Sequence, residues 1–179
     1  MNFKTLLEYD ATLSARLRVA EEPGIARNIA VLLGHSGDSW FWLTGLIVLW
    51  LAGDEVWKGR ALMMFLAILV TATFVMTLKF TIRRKRPEGE LGQIYRKTDP
   101  HSFPSGHAAR ALMLGVLALI LGPPWFGILL IIWGPLVGVA RVAMGVHFVS
   151  DVLAGWLIGV MAGISIPHVV DALLELFLQ

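Results

Sequence analysis

The sequence predicts an all-α, integral-membrane helical bundle with five transmembrane helices, or six if a short segment near the N-terminus also spans. The chain of 179 residues is 56% hydrophobic and only 16% charged, with a mean hydropathy of +0.71. Ordinary soluble domains carry about 25% charged residues. Several uncharged apolar runs approach the roughly 20 residues that a helix needs to cross a bilayer. Tryptophans, which favour lipid–water boundaries, lie in the first of these runs.

Residues 1–38 are expected to form an N-terminal interfacial helical segment. Charges interrupt the first 24 residues too often for the apolar core of a secretory signal peptide. Apolar residues recur there with imperfect helical spacing, at Phe3, Leu6, Leu7, Leu13 and Leu17. This stripe predicts an amphipathic helix on the membrane surface or against the bundle. The apolar segment 24–38 is short, and it could span, re-enter or lie at the interface.

Residues 39–179 are expected to form the transmembrane catalytic bundle of a single domain, 1–179. The predicted spans are 39–53, 61–78, 104–121, 125–143 and 148–167. The uncharged run 111–140 is too long for one helix. The sequence GPP at 122–124 divides it, because proline ends a helix.

Composition excludes several kinds of chemistry. The chain has no cysteine, so it can have no disulfide, thiolate metal site or cysteine nucleophile. The net charge is only +2 and the basic residues are clustered, so a nucleic-acid partner is not indicated. Nothing in the sequence indicates a cofactor, a metal ion or an obligate protein partner.

Three polar clusters are expected at one face of the membrane, because successive spans alternate in direction. The first cluster pairs Lys79 with Arg86, the second is the sequence PSGH ending at His107, and the third joins Arg141 to HFVSD at 147–151. Ionisable residues inside a membrane are costly and are functional-site candidates by default.

The side chains in these clusters suit a phosphate. His147 and Asp151 are four residues apart, the spacing of neighbours on one helix face, and a carboxylate there would fix the imidazole tautomer. Pro104 is expected to start a helix, whose N-terminus at Ser105 and Gly106 would expose N–H groups suited to an anion. Lysine and arginine add the cations, and the arginine fork matches phosphate oxygens.

Each cluster also has a purely structural interpretation. His147 and Asp151 alone could be a buried hydrogen-bonded pair, and a serine before a helix is a common cap. Residues 83–85 could be a basic cluster attracted to anionic lipid, which is our interpretation of Arg83, Arg84 and Lys85. The joint occurrence of the three clusters on one face favours chemistry.

At these spacings the chain resembles the type 2 phosphatidic acid phosphatase (lipid phosphate phosphatase) family, which belongs with the vanadium haloperoxidases. The family pattern is K-x6-R-P, P-S-G-H and S-R-x5-H-x3-D. This chain has KFTIRRKRP, PSGH and ARVAMGVHFVSD in the same order. The resemblance covers roughly residues 60–165. Ala140 stands where the family usually has serine, so this position has no side-chain hydroxyl to donate a supporting hydrogen bond.

The resemblance implies a role for each motif residue. The phosphate would be bound by Lys79, Arg86, Ser105, Gly106 and Arg141. His147, oriented by Asp151, would attack phosphorus to give a phosphohistidine. His107 would protonate the leaving oxygen, and water would then hydrolyse the intermediate without a metal ion.

The expected function is therefore a metal-independent membrane phosphatase acting on a lipid phosphate or a polyprenyl (pyro)phosphate. The substrate partner would come from the bilayer itself. Candidate substrates are phosphatidylglycerophosphate, phosphatidate, undecaprenyl diphosphate, a lipid A phosphate and a prenyl-linked sugar phosphate. Two alternatives remain: a lipid phosphotransferase using the same site, and a non-catalytic protein that binds anionic lipid.

We expect a multi-pass protein of the cell (inner) membrane with its active site facing the cytoplasm. The face with the three clusters carries the basic residues of loop 81–103 and, with five spans, of the N-terminus. The positive-inside rule places such a face in the cytoplasm.

The sequence indicates less about the histidines and basic residues that lie outside the motifs. His101 is a loop residue or a substrate contact. His35 could cap a turn or line the entrance, and a structural role is favoured. His168 is expected to be structural. A loop sequence with Tyr95, Arg96 and Lys97 could touch a lipid head group, although solvation alone is favoured.

Overall fold

A computed structural model of the chain describes residues 2–19, 21–88, 91 and 99–177, and this part of the protein forms seven helices and no strand. The helices, in chain order, are α1 (Phe3–Arg16), α2 (Ile25–Ser36), α3 (Ser39–Ala52), α4 (Glu55–Ile82), α5 (Gly106–Leu121), α6 (Pro124–Ala143) and α7 (Val149–Phe177). The all-helical prediction is confirmed. The predicted spans match α3 to α7, although α4 and α7 are longer than expected.

Three of the described helices are long and apolar enough to cross a membrane. These are α4, α6 and residues Val149–Ala172 of α7. The apolar helices α3 and α5 are shorter, with 14 and 16 residues. Helix α2 has 12 residues and is about 18 Å long at 1.5 Å per residue, less than the ~30 Å hydrocarbon core. The number of spanning helices stays a prediction.

The distribution of side chains is that of a protein surrounded by lipid. Large apolar residues point outward along the long helices, such as Val70 and Phe74 on α4 and Ile132 on α6. Charged residues are buried instead, with Arg141 and Asp151 both fully enclosed. Soluble proteins bury charges only rarely. The chain is therefore an integral membrane protein.

Helix α5 lies at the centre of the bundle, where small residues let α7 approach closely. Glycines face α5 at a spacing of four residues along α7, at Gly155, Gly159 and Gly163. A Cβ atom on Gly155 would lie 2.6 Å from the main-chain oxygen of Ser105, so a larger residue would push the two helices apart. Such small-residue contacts are typical of helix packing in membranes. This packing brings the start of α5 beside the start of α7.

Helix α1 turns a polar face towards the bundle. The Ser14 hydroxyl oxygen accepts a hydrogen bond from the N–H of Val149 at 3.0 Å, and Asp10 accepts from the N–H of Ser150 at 3.1 Å. The first N–H groups of a helix have no partner within that helix. Side chains of α1 therefore cap the N-terminus of α7. Tyr9 and other large side chains of α1 remain exposed. The division of the chain at residue 38 stays a prediction.

Two local expectations are wrong. Helix α5 begins at Gly106 with Ser105 as its N-cap, so Pro104 precedes the helix instead of starting it. His147 lies before α7, in the turn that follows α6, so His147 and Asp151 do not share a helix face. The turn reverses the chain at Gly145, whose φ of +69° is in the left-handed region that glycine adopts easily.

Candidate active site

Lys79 and Arg86 converge at the end of α4 around one carboxylate. The Lys79 ammonium donates to Asp99 Oδ2 at 2.5 Å and to the main-chain oxygen of His101 at 2.9 Å. Arg86 donates from Nη2 to the same Asp99 oxygen at 2.7 Å. Both cations are buried, with 3% and 1% of their side chains exposed. Together they form an anion-binding pair.

Arg86 also reaches the turn between α6 and α7. Its Nη1 atom donates to the main-chain oxygen of Val146 at 2.8 Å and lies 3.2 Å from Nε2 of His147. Because arginine is only a donor, this contact presents a donor to the lone pair on Nε2. The first and third polar clusters of the sequence therefore meet.

His147 is enclosed between Arg86 and Asp151. Its Nδ1 atom lies 3.4 Å from Asp151 Oδ2, a contact longer than an ordinary hydrogen bond. Both neighbours favour the same tautomer, with the proton on Nδ1 and the lone pair on Nε2. Burial, together with the positive charges of Arg86 and Arg141, lowers the pKa of His147 to about 3. Its imidazole is therefore neutral at ordinary pH.

Arg84 holds Asp151 in place, contrary to our interpretation of it as part of a lipid-attracted basic cluster. Its Nη1 atom donates to Asp151 Oδ1 at 2.7 Å and to the Ser150 hydroxyl at 2.6 Å. Its Nη2 atom donates to Asp10 of α1 at 2.7 Å. Arg83 and Lys85 are exposed, as that interpretation requires. Sequence reasoning missed Arg84 because nothing distinguishes it from its basic neighbours.

The start of α5 lies against the start of α7. The N–H of Ser105 donates to the main-chain oxygen of Asp151 at 2.9 Å, and the buried Ser105 hydroxyl accepts from Ala108 at 3.5 Å. Gly106 is the first residue of the helix and His107 the second. The N–H groups of this first turn and the partial positive charge of the helix favour an anion here.

Arg141 lies near both histidines. It is fully buried in the last turn of α6, and its charge acts on His107 and on His147. Its Cδ atom would lie 3.6 Å from a Cβ atom on Gly34 of α2. All eight residues predicted for the site are thus at one end of the bundle.

Two carboxylates of the site were missed by sequence reasoning. Asp99 bridges Lys79 and Arg86, and Asp38 Oδ1 lies 2.6 Å from His107 Nε2. Asp38 lies three residues after His35, and Nδ1 of His35 contacts its Oδ2 atom at 3.1 Å. Aspartates are common in turns, so neither position carries a signal.

The remaining candidates have peripheral positions. The main-chain oxygen of His101 accepts from Lys79, and its ring meets Phe80 edge to face at 5.5 Å. His168 is exposed on α7. Tyr95, Arg96 and Lys97 lie outside the described residues.

A cleft of about 470 Å³ opens from the site between α3 and α4. Its polar end includes Lys79, Asp99 and His107, and its apolar wall includes Ile68 and Val75 of α4. The cleft could therefore hold a charged group at one end and hydrocarbon at the other. Among the described residues, no group of three or more His, Cys, Asp or Glu side chains is arranged to hold a metal ion.

The fold and the site together define a helical membrane protein with a buried anion-binding centre and two histidines. The chain belongs to the PAP2 superfamily, whose sequence profile matches residues 60–175. This agrees with the family resemblance of the three motifs.

Two similar proteins are phosphatases by name. The chain is 32% identical over 136 residues to an undecaprenyl-diphosphatase of Sulfolobus acidocaldarius, covering 73% of this chain and 64% of that relative's length. The crystal structure of the transmembrane PAP2-type phosphatidylglycerolphosphate phosphatase from Bacillus subtilis is similar, with a TM-score of 0.74, 25% identity and coverage of 94% of this chain and 87% of that one. LpxE of Aquifex aeolicus gives a TM-score of 0.69 and 25% identity over 88% of this chain and 93% of that one.

Proposed function

We propose that the protein is a metal-independent membrane phosphatase that hydrolyses a lipid phosphate or a polyprenyl diphosphate through a phosphohistidine intermediate. One observation carries the proposal. The buried, neutral His147 offers the lone pair of Nε2 beside the cationic Arg86, with Asp151 on the other side of its ring. A nucleophile beside a phosphate-binding cation, oriented by a carboxylate, is the arrangement that covalent phosphoryl transfer needs.

In the first step the phosphate displaces Asp99 from Lys79 and Arg86. Arg141, the Ser105 hydroxyl and the Gly106 N–H bind further oxygens, so the charge on the phosphate oxygens is stabilised by fixed donors. Nε2 of His147 forms a bond to phosphorus while the bond from phosphorus to the leaving oxygen breaks. His107 gives its proton to that oxygen.

In the second step water attacks the phosphorus atom of the phosphohistidine. His107, now neutral, accepts a proton from that water while the bond between phosphorus and His147 breaks. Inorganic phosphate leaves, and both imidazoles return to their starting protonation states. The cations of the site supply the charge stabilisation that a metal ion supplies in other phosphatases.

The substrate class follows from the cleft and from the relatives. Its apolar wall on α4 continues to the lipid-facing surface, so a prenyl or acyl tail can stay in hydrocarbon while the head group enters the site. One relative is named for undecaprenyl diphosphate as its substrate, and another is named for phosphatidylglycerolphosphate. We therefore rank these two compounds first in a substrate panel.

We also propose that the protein lies in the cell membrane with its active site facing the cytoplasm. Helix α1 and the exposed residues Arg83 and Lys85 lie at the active-site end, which supports this orientation by the positive-inside rule. Because the chain has no cysteine, single-cysteine variants test it directly. A membrane-impermeant thiol reagent on intact cells should label Glu55→Cys at the opposite end and spare Lys85→Cys. The reverse labelling would place the site outside.

The test of the proposed function is phosphate release by detergent-purified protein, with EDTA present, over a panel of lipid phosphates and diphosphates. Wild type should release phosphate and His147→Ala should not. Vanadate, a five-coordinate phosphate mimic, should inhibit. Loss of activity in EDTA would overturn the metal-free mechanism.

The same assay distinguishes the alternatives. A phosphotransferase would transfer phosphate to an added lipid or sugar alcohol in preference to water. A non-catalytic lipid-binding protein would retain lipid without turnover, and His147→Ala would bind equally well.

A further inference from the structure

Asp38 occupies a helix-cap position but uses its carboxylate elsewhere. It is the N-cap residue of α3, where aspartate normally accepts from main-chain N–H groups in the first turn. Here its side chain makes no such bond to the described start of α3. Oδ1 instead lies 2.6 Å from Nε2 of His107 on α5. The carboxylate therefore contacts a predicted catalytic residue instead of stabilising the N-terminus of its own helix.

The main chain beside Asp38 is fixed from the same helix. Arg110, one turn after His107, is buried and donates from Nε and Nη2 to the main-chain oxygen of Gly37 at 2.9 and 2.5 Å. A Cβ atom on Gly37 would lie 2.8 Å from Val137, so this turn is closely packed. Helix α5 therefore holds the turn at two points, and the position of Asp38 relative to His107 is set by both.

The second carboxylate oxygen is also engaged. Oδ2 of Asp38 lies 3.1 Å from Nδ1 of His35 and accepts from the indole N–H of Trp40 at 3.4 Å. Burial alone would raise the pKa of Asp38, but hydrogen bonds from His107 and His35 outweigh burial and hold that pKa below its usual range. Asp38 is thus an oriented carboxylate, not an acid.

A carboxylate on one nitrogen of an imidazole determines which nitrogen can exchange a proton. With Nε2–H donating to Asp38, His107 exchanges its catalytic proton through Nδ1. Burial and the positive charges of Arg110 and Arg141 oppose a protonated ring at His107, and the contact with Asp38 acts in the opposite direction. Asp38 would thus fix the orientation and tautomer of His107, as Asp151 does for His147.

We propose that Asp38 is a positioning residue that orients His107 and stabilises its protonated form during departure of the leaving group. The inference rests on the proposed function and deepens it. As the bond from phosphorus to the leaving oxygen breaks, the proton on Nδ1 of His107 moves to that oxygen. The proton on Nε2 stays between His107 and Asp38. When water hydrolyses the phosphohistidine, a proton from water returns to Nδ1.

The test compares two phosphate esters that differ in their need for a proton. Dodecyl phosphate has a strongly basic leaving oxygen, whereas p-nitrophenyl phosphate has a weakly basic one. We measure kcat/KM, because it includes only the steps up to departure of the leaving group. General acid catalysis typically contributes 10²–10⁴-fold, so Asp38→Asn should lower kcat/KM for dodecyl phosphate by about 10–100-fold and for p-nitrophenyl phosphate by about threefold or less.

Three further variants separate positioning from a general effect on the fold. His107→Ala should show the same dependence on the leaving group, and adding Asp38→Asn to it should cause no further loss. Asp38→Glu should recover part of the activity towards dodecyl phosphate. Asp54→Asn is the matched control, because Asp54 is an N-cap that does bond to its own helix, at Trp57. It should leave the ratio of the two kcat/KM values unchanged.

Equal losses on both esters, or an additional loss in the double variant, would overturn the proposal. If wild type hydrolyses neither ester, the lipid panel alone decides the proposed function, and the Asp38–His107 pair is tested by NMR of ¹⁵N-labelled histidine. His107 should then be the Nε2–H tautomer in wild type and a mixture in Asp38→Asn. An unchanged spectrum would overturn the Asp38 assignment by itself.

Discussion

Asp99 and Arg86 form a two-point contact at the entrance to the site. Oδ2 of Asp99 accepts from Nη2 of Arg86 at 2.7 Å, and the main-chain oxygen of Asp99 accepts from Nε at 2.6 Å. The same Oδ2 atom also accepts from Lys79. A carboxylate therefore occupies the donors that we assign to the phosphate. It neutralises two buried cations, and the substrate must compete with it.

Asp99→Asn should strengthen phosphate binding and lower the stability of the protein without bound ligand. With the carboxylate charge gone, Lys79 and Arg86 retain positive charge for the ligand, so the inhibition constant for vanadate should fall about tenfold. Breaking an ion pair leaves buried charge uncompensated, which should cost on the order of 2 kcal/mol of stability. Inhibition assays and thermal unfolding in detergent check both effects. Added phosphate should restore most of the lost melting temperature, and weaker vanadate binding would contradict the assignment.

The sequence predicted the fold and the motif residues because both leave local signals. Uncharged apolar runs predicted helices α3 to α7, and proline at 123–124 divides α5 from α6 as expected. Lys79, Arg86 and His147 stand out because they occur at the spacings of three motifs at the ends of apolar runs. Alternating span directions then sufficed to bring the clusters to one end.

The sequence could not predict the residues that support the motifs, because their partners are far away in the chain. Asp38 and His107 are 69 residues apart, and Arg84 and Asp10 are 74 apart. An aspartate in a turn and one arginine among four basic residues look ordinary. Only the packing of α1 and α3 against the bundle gives them a role.

Arg84→Lys should impair catalysis, whereas Arg83→Lys should not. The guanidinium of Arg84 joins Asp151 to Asp10 through separate nitrogens, and a lysine ammonium cannot reproduce this planar fork. We expect kcat to fall about tenfold, because Asp151 no longer holds His147 in one orientation. Arg83 is exposed and provides the neighbouring control. Equal activity of the two variants, measured as phosphate release, would show that Arg84 only anchors α1.

The buried His147 should make the protein sensitive to acid. Its pKa is about 3 in the folded state, below the ordinary value of 6.5. The unfolded chain therefore binds a proton at His147 before the folded protein does. The stability contribution present above pH 6.5 is lost as pH falls towards 3, by at most about 1.4 kcal/mol for each pH unit.

His147→Gln removes this titration and provides the comparison. Between pH 6.5 and 4.5 its melting temperature in detergent should fall less than that of wild type, since both retain the same carboxylates. Parallel curves would mean that His147 is already accessible to protons in the folded protein. A protonated His147 has no lone pair on Nε2 with which to attack phosphorus. In that case kcat/KM should decline as the pH falls below about 6.5, the ordinary pKa of histidine.

Trapping the covalent intermediate should distinguish the roles of His107 and His147. In His107→Ala the first step remains possible for p-nitrophenyl phosphate, whose leaving oxygen needs little protonation, but water then lacks its base. An acid-labile, alkali-stable phosphoprotein should accumulate to a level approaching one phosphate per chain. The phosphoprotein is measured as the radiolabel from p-nitrophenyl phosphate that stays on the protein after rapid denaturation. His147→Ala and the double variant should retain none. Label that persists without His147 would assign the nucleophile to another residue, and absence of label in His107→Ala would mean that water attacks phosphorus directly.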